Sequence, residues 1–202
     1  MIEQTFQRRL LALHYVFPVP LPKVIPLLKI DPDLSQLENI QPTLLAKLCN
    51  IPIERAIHFK NMYKELVYHP LLETYENHNI LPIAYNDNYY PESLLKLYDP
   101  PVILYTKGDV SLLANIKKIA IIGSRKATSY SEKSIEKILP PLIQQNYVIV
   151  SGLARGADTL AHRKTIEMGG KTTGVLGAGF SNIYPKENED LANFMSKSHL
   201  LV

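Results

Sequence analysis

Apolar residues keep one spacing in the first part of this chain and another in its second half. Phe6, Leu10, Leu13 and Phe17 recur at helical intervals, and Leu44, Leu45 and Leu48 do the same. This spacing lines one face of a helix. Pro42 and Pro52 stand where first turns begin, a position that tolerates the missing N–H. A longer amphipathic segment runs from Ile53 through Tyr68, until Pro70 interrupts it. Short helices parted by prolines predict a small all-α module over residues 1–77. It carries no glycine hairpin of the kind a DNA-reading helix-hairpin-helix needs, so a packing or interaction role is expected.

Residues 78–113 read as a transition. Ile80 to Tyr85 suits a short strand, and Tyr90-Pro91-Glu92-Ser93 suits a turn entering a helix that Asp99-Pro100-Pro101 stops. Val102 to Tyr105 reads as a strand ending at Lys107-Gly108. From residue 116 the period alternates between strand and helix. Ile119-Ala120-Ile121-Ile122 is a continuous apolar run, the pattern of a parallel strand buried on both faces. Ile135, Ile138, Leu139, Leu142 and Ile143 then form one helix face, with Ser131 expected as the N-cap. Pro140-Pro141 inside that face predicts a kink or a restart. A second strand is expected at Tyr147–Val150, and a helix from Gly156-Ala157-Asp158 to Gly169-Gly170. A third strand is expected at Thr172–Leu176, then a short helix at Asn188–Met195. His199-Leu200-Leu201-Val202 reads as a fourth strand whose outer edge is left unpaired, so a truncated sheet is expected. The domain expectation is 1–77 helical and 78–202 an α/β, Rossmann-like parallel sheet, incomplete at its C-terminal end.

Each of the three main strand runs ends in a glycine-bearing turn: Gly123-Ser124-Arg125, Ser151-Gly152-Leu153-Ala154-Arg155-Gly156 and Gly177-Ala178-Gly179. In open parallel sheets ligands bind beyond the carboxyl ends of the strands. Helix N-termini there offer free N–H groups to anions. Charge agrees. Residues 1–113 hold 10 Lys/Arg against 12 Asp/Glu, a balance of −2, whereas residues 114–202 hold 12 against 7, a balance of +5. Eight of the nine glycines lie between Gly123 and Gly179, so the glycine-rich half is also the basic half. A phosphate site is therefore expected, for a nucleotide or a nucleic-acid backbone.

Other classes drop out. A single cysteine, Cys49, excludes an intrachain disulfide and cysteine-based zinc. The six histidines and 19 carboxylates show no metal-ligand spacing, and no metal or other cofactor is expected. No signal peptide and no membrane-length apolar run is present, so a cytoplasmic protein is expected. Neither the Walker pattern nor the dinucleotide fingerprint occurs. Asp158 and His162 share a helix face, but no serine or cysteine nucleophile accompanies them at a diagnostic spacing. They are expected to be structural: Asp158 as a helix cap or a partner of Arg125, His162 packed under the sheet.

The ordered blocks resemble the DprA/Smf family, the DNA-processing proteins of bacterial transformation. They are Tyr90-Pro91 with Asp99-Pro100-Pro101, Ile121 to Arg125, Val150 to Asp158 with Ala161-His162, and Val175 to Gly179 with Tyr184-Pro185. Departures are Ala157, where the family usually has isoleucine, and the lack of its usual glycine near Ser131. The resemblance implies a sterile-alpha-motif-like N-terminal module. It implies single-stranded DNA binding, protection of incoming DNA and its loading onto the recombinase RecA, without catalysis. It further implies a homodimer in full-length members, expected to be lost here.

The candidate DNA-binding residues are Gly123, Ser124, Arg125, Ser151, Gly152, Ala154, Arg155, Gly177, Gly179 and Lys186. Similar proteins use the arginine at 125 on single-stranded DNA and line the pocket with the lysine at 186. The residues themselves leave Arg125 open between a phosphate and a salt bridge with Asp158, and Arg155 between DNA and solvent. Phe180 or Tyr184 is expected to stack on a base. The alternative is a Rossmann-like enzyme of the nucleoside-monophosphate glycosidase type, although its glycine-rich catalytic motif has no match.

Overall fold

The prolines that part the first helices also start them. In the computed structural model, α1 (Ile2–Val16) is followed by α2 (Leu21–Ile30), α3 (Pro42–Cys49), α4 (Ile53–Leu66) and α5 (Leu71–Asn77). Pro20 and Pro52 occupy the N-cap positions of α2 and α4, and Pro42 opens α3. The structure describes residues 2–115 and 117–202, the side chains of 2–4 excepted; Ile116, where the strand–helix rhythm is expected to begin, lies outside the described residues. The chain divides into two compact units, residues 1–105 and 106–202.

In the first unit Leu10, Leu13, Leu45, Phe59 and Tyr63 are buried together, and Phe17 stacks on Phe59 with ring centroids 5.4 Å apart. Leu45 is core whereas its neighbour Leu44 is exposed, so the helical face is narrower than the apolar spelling suggested. Burial pushes the Cys49 thiol up to about 11, which makes it unreactive.

The strands are β1 (Leu81–Ala84), β2 (Ile103–Gly108), β3 (Lys118–Ala120), β4 (Val148–Ser151), β5 (Lys171–Gly174) and β6 (Leu200–Leu201). They form one six-stranded sheet in the order β1-β2-β6-β5-β4-β3. The pairs β3–β4, β4–β5 and β5–β6 are parallel, and β2–β6 is antiparallel. The expected open edge at β6 is thus corrected. Lys107 and Gly108 of β2 pair with Leu201 and Leu200 on the side away from β5, and both leucines are buried. The physical reason is a strand that precedes the rhythm in sequence and returns antiparallel, which no periodicity encodes. Among the described residues β1 and β3 are the two end strands of this order. β3 carries the apolar run of a strand covered on both faces, yet Ile119 and Ala120 are exposed and Ile122, just beyond it, is 84% exposed.

Two short helices, α6 (Glu92–Leu95) and α7 (Ser111–Ala114), flank β2 in sequence. The major crossovers are α8 (Ser129–Gln144), α9 (Ala157–Glu167) and α10 (Glu189–Ser198), the last preceded by a 3₁₀ turn at Lys186–Asn188. Thr128, not Ser131, caps α8; Ser131 takes the third position, and the two hydroxyl residues form a reciprocal capping box. Pro140 and Pro141 lie inside an unbroken α8, which corrects the expected restart. Each proline removes the bond to the carbonyl four residues back. Those carbonyls belong to Glu136 and Lys137, both exposed, so water can take the place of the lost donors. Ile135 and Leu139 of α8 meet Ile149 and Ala161, while Met195 and Leu191 of α10 meet Leu153 and Leu201. These two clusters fix the carboxyl ends of β3, β4 and β5 side by side.

Candidate nucleic-acid interface

The loop after β3 is exposed throughout Gly123-Ser124-Arg125. Its backbone is anchored: the Ser124 carbonyl accepts from Ala157 N at 3.0 Å, and Ser124 Oγ accepts from Lys126 N at 3.0 Å. Among the described residues, neither the Arg125 nor the Lys126 side chain has an ion pair or hydrogen bond. The alternative of an Arg125–Asp158 salt bridge is therefore not realised.

Asp158 is engaged elsewhere. It is buried in the first turn of α9, and its Oδ2 accepts from Gly152 N at 3.1 Å and from Ala154 N at 3.3 Å. The turn after β4 is indeed an anion nest, and the anion in it is the protein's own carboxylate. Ser151 is buried as well, its hydroxyl donating to Ile121 O at 2.7 Å. The expectation that Ser151, Gly152 and Ala154 offer donors to a phosphate is thus revised, because those donors are already taken. The glycines here serve loop-to-loop approach. Gly156 has φ +80°, and a Cβ on it would lie 2.2 Å from Ser124 O. A Cβ on Gly123 would lie 2.7 Å from that of Ala157.

His162 lies one turn further along α9, fully buried. Thr172 donates its hydroxyl proton to Ile149 O at 2.7 Å, so at His162 Nδ1, 2.7 Å away, it can only accept. The ring therefore carries its proton on Nδ1, and Nε2 is left buried with no hydrogen-bond partner among the described residues. Burial lowers the His162 pKa to about 4, against a smaller opposing effect of Asp158. A neutral, walled-in imidazole fits the structural role expected of it.

The third loop, 175–188, differs. Gly177 and Gly179 are exposed, and a Cβ on either would meet nothing within 4 Å. Internal packing does not demand glycine at these positions. Phe180 is half-buried against the α10 cluster, while Tyr184 is exposed, so Tyr184 is the aromatic available for stacking. Lys186 is exposed at the start of the 3₁₀ turn and has no side-chain partner among the described residues.

Arg155 reaches this loop from the β4 turn. Its guanidinium donates to Glu187 Oε1 at 2.7 Å and lies 5.9 Å from the Tyr184 ring centroid. Glu187's own backbone N–H, followed by the Arg155 charge, holds its carboxyl below the ordinary range. A cavity of 750 Å³ opens here, lined among others by Arg155, Asn182, Tyr184, Lys186, Glu187 and Glu189. Asn188 locks the two loops together, its buried amide donating to Leu153 O at 2.9 Å and to Thr159 Oγ1 at 2.7 Å.

The three turns are therefore contiguous, the first joined to the second by Ser124–Ala157 and the second to the third by Arg155–Glu187 and Asn188. Arg125, Lys126 and Lys186 are open cations on this rim, and Arg155 is a paired one. Sequence reasoning missed Glu187 and Asn188, whose side-chain partners on the β4 turn and α9 lie 29 to 35 residues away and leave no local signal. Among the described residues no group of three or more His, Cys, Asp or Glu could hold a metal ion, and no helix is long and apolar enough to cross a membrane.

Residues 82–202 match the family model described as DNA recombination-mediator protein A. The chain is 39% identical over 132 residues to DNA processing protein DprA of Bacillus subtilis, covering 65% of this chain and 44% of that protein. It thus spans less than half the length of that relative. The X-ray structure of DNA processing protein A from Streptococcus pneumoniae matches with a TM-score of 0.70 at 30% identity, over 89% of this chain and 60% of that one. A structure of the Helicobacter pylori protein, reported for its single-stranded DNA binding mode, matches with a TM-score of 0.54 at 31% identity, over 60% of this chain and 54% of that one. By the extent of these matches, the chain belongs to the DNA recombination-mediator protein A family, the DprA/Smf DNA-processing proteins.

Proposed function

We propose that this chain binds single-stranded DNA along the rim beyond β3, β4 and β5. The observation that carries the reading is Arg125, an exposed arginine beyond the carboxyl end of a strand with no side-chain partner among the described residues. Arg125, Lys126 and Lys186 hold backbone phosphates, and the open surface at Gly177 and Gly179 lets the strand approach closely. Gly123 and Ser124 contribute by shaping the Arg125 loop, and Tyr184 offers a stacking platform. The H. pylori relative supports the choice of single-stranded DNA. The action is binding without a catalytic step, since Asp158 and His162 are committed to internal hydrogen bonds. In the longer family protein the bound strand, kept from degradation, is handed to RecA during transformation, with a homodimer as the working unit.

The test is a titration of labelled oligo(dT), a duplex of equal length and a nucleoside monophosphate over a range of salt. Oligo(dT) binding that weakens linearly in log salt is expected. Equal or tighter duplex binding removes the single-strand claim. Monophosphate binding without oligo(dT) binding favours the glycosidase-type alternative. RecA that assembles no faster on the bound strand removes the loading step, and sedimentation equilibrium of the longer protein decides the dimer.

A further inference from the structure

Arg155 is the rim arginine whose charge is already answered. Its partner Glu187 comes from the neighbouring loop, 32 residues away, at 2.7 Å. A carboxylate and a phosphate present a guanidinium with the same kind of oxygen pair. Both side chains of this pair are more than half exposed, at 54% and 65%. Exposed ion pairs are weak and readily exchanged. The Tyr184 ring lies 5.9 Å from the guanidinium and offers a face that can keep the cation in place when the carboxylate leaves.

We infer that Glu187 is a built-in competitor for phosphate, holding Arg155 in the free protein and giving it up when a single strand binds. This rests on the single-strand reading of the rim. Two consequences follow from charge alone. Arg155 and Glu187 together add no net charge, so in the unmodified protein Arg155 contributes little to the release of ions condensed on the DNA. The carboxylate also limits how tightly the rim holds any one phosphate, which suits a protein that must later let the strand go.

The experiment measures oligo(dT) affinity and its salt dependence for the full 202-residue chain and for Glu187→Gln, Arg155→Ala and their combination, with thermal melts to confirm folding. Glu187→Gln keeps the side chain's size and removes its charge. It should bind three- to ten-fold more tightly at low salt, with a log–log salt slope steeper by about 0.7, the value for one further phosphate neutralised on a single strand. Arg155→Ala should cost little in the unmodified chain and clearly more in the Glu187→Gln background. Glu189→Gln, which removes a second carboxylate from the same cavity, should tighten binding less and show no coupling to Arg155. If the unmodified chain binds and Glu187→Gln binds equally or more weakly, Glu187 is no competitor and the inference is lost while the single-strand reading stands. If neither protein binds oligo(dT), both fall together.

Discussion

The turn after β4 and the loop after β5 are alike in sequence, since each brings glycines to the carboxyl end of a strand. In the folded chain they do opposite things. The β4 turn closes on itself: Asp158 fills the nest of N–H groups, Ser151 ties back to Ile121, and Gly156 is required by the Ser124 carbonyl. The β5 loop stays open, with space above Gly177 and Gly179 and an exposed Lys186 that has no side-chain partner among the described residues. Free N–H groups identify an anion site only after the protein's own anions have been placed. A buried carboxylate in a glycine turn is a strong competitor for that role, and it marks the turn as architecture.

The sharpest way to break this contrast is Asp158→Ala. Gly152 and Ala154 would each be left with an unsatisfied N–H, and the chain should lose about 3–4 kcal/mol in denaturant melts. Inorganic phosphate should restore part of that loss by entering the emptied nest. A variant as stable as the unmodified chain would show that the β4 turn does not depend on its internal anion.

Acid attacks the same closed region by another route. His162 has a folded pKa lowered by burial to about 4 from 6.5, so between these values the unfolded chain binds more protons. Stability is therefore fully present above about pH 6.5 and declines by about 3 kcal/mol as pH falls toward 4. His199, also lowered by burial, acts in the same direction. The comparison to make is the pH dependence of melting for the unmodified chain and for His162→Gln, which should be visibly flatter. DNA binding by the still-folded fraction should persist through this window, because His162 is fully buried and is not among the residues proposed to hold the strand.

On the open side, Arg125→Ala should weaken oligo(dT) binding by about 1.5–3 kcal/mol, the range for a charged hydrogen bond. Its melting should be unchanged, because Arg125 has no side-chain partner among the described residues; a lowered melting point would return it to a structural role. The smallest expected effect belongs to Gly179→Ala. With open space at its Cβ and no left-handed backbone, it should stabilise the fold by about 0.4–1 kcal/mol. A simultaneous loss of oligo(dT) affinity would mark the surface where the strand comes closest.

Much of this arrangement was legible in the chain, and the parts that were not share a cause. Helical periodicity located α1 and α8, flanking glycines bounded α9, and short apolar runs marked the strands of the parallel run, because each is a local signal. The glycine turns were legible as turns for the same reason. Pairings between distant segments were not: β2 against β6, Arg155 with Glu187, and Asn188 under the Leu153 carbonyl. Nor could spelling separate Thr128 from Ser131 as the cap of α8, since each contributes a hydroxyl to the same box. The unbroken helix through Pro140-Pro141 depended on which carbonyls face water, a property of packing.

The open edge at β3 has a consequence for handling the molecule. Among the described residues its outer row of backbone groups has no partner strand, and Ile119 within it and Ile122 just beyond it are both exposed. Such an edge is a template for strand addition by any passing chain. Colloidal lifetime in concentrated solution should therefore be set at this edge, whatever the melting temperature of the core. A single lysine at Ile119 should extend shelf life and leave the phosphate rim untouched, because a charged gatekeeper repels the next strand before its backbone can dock.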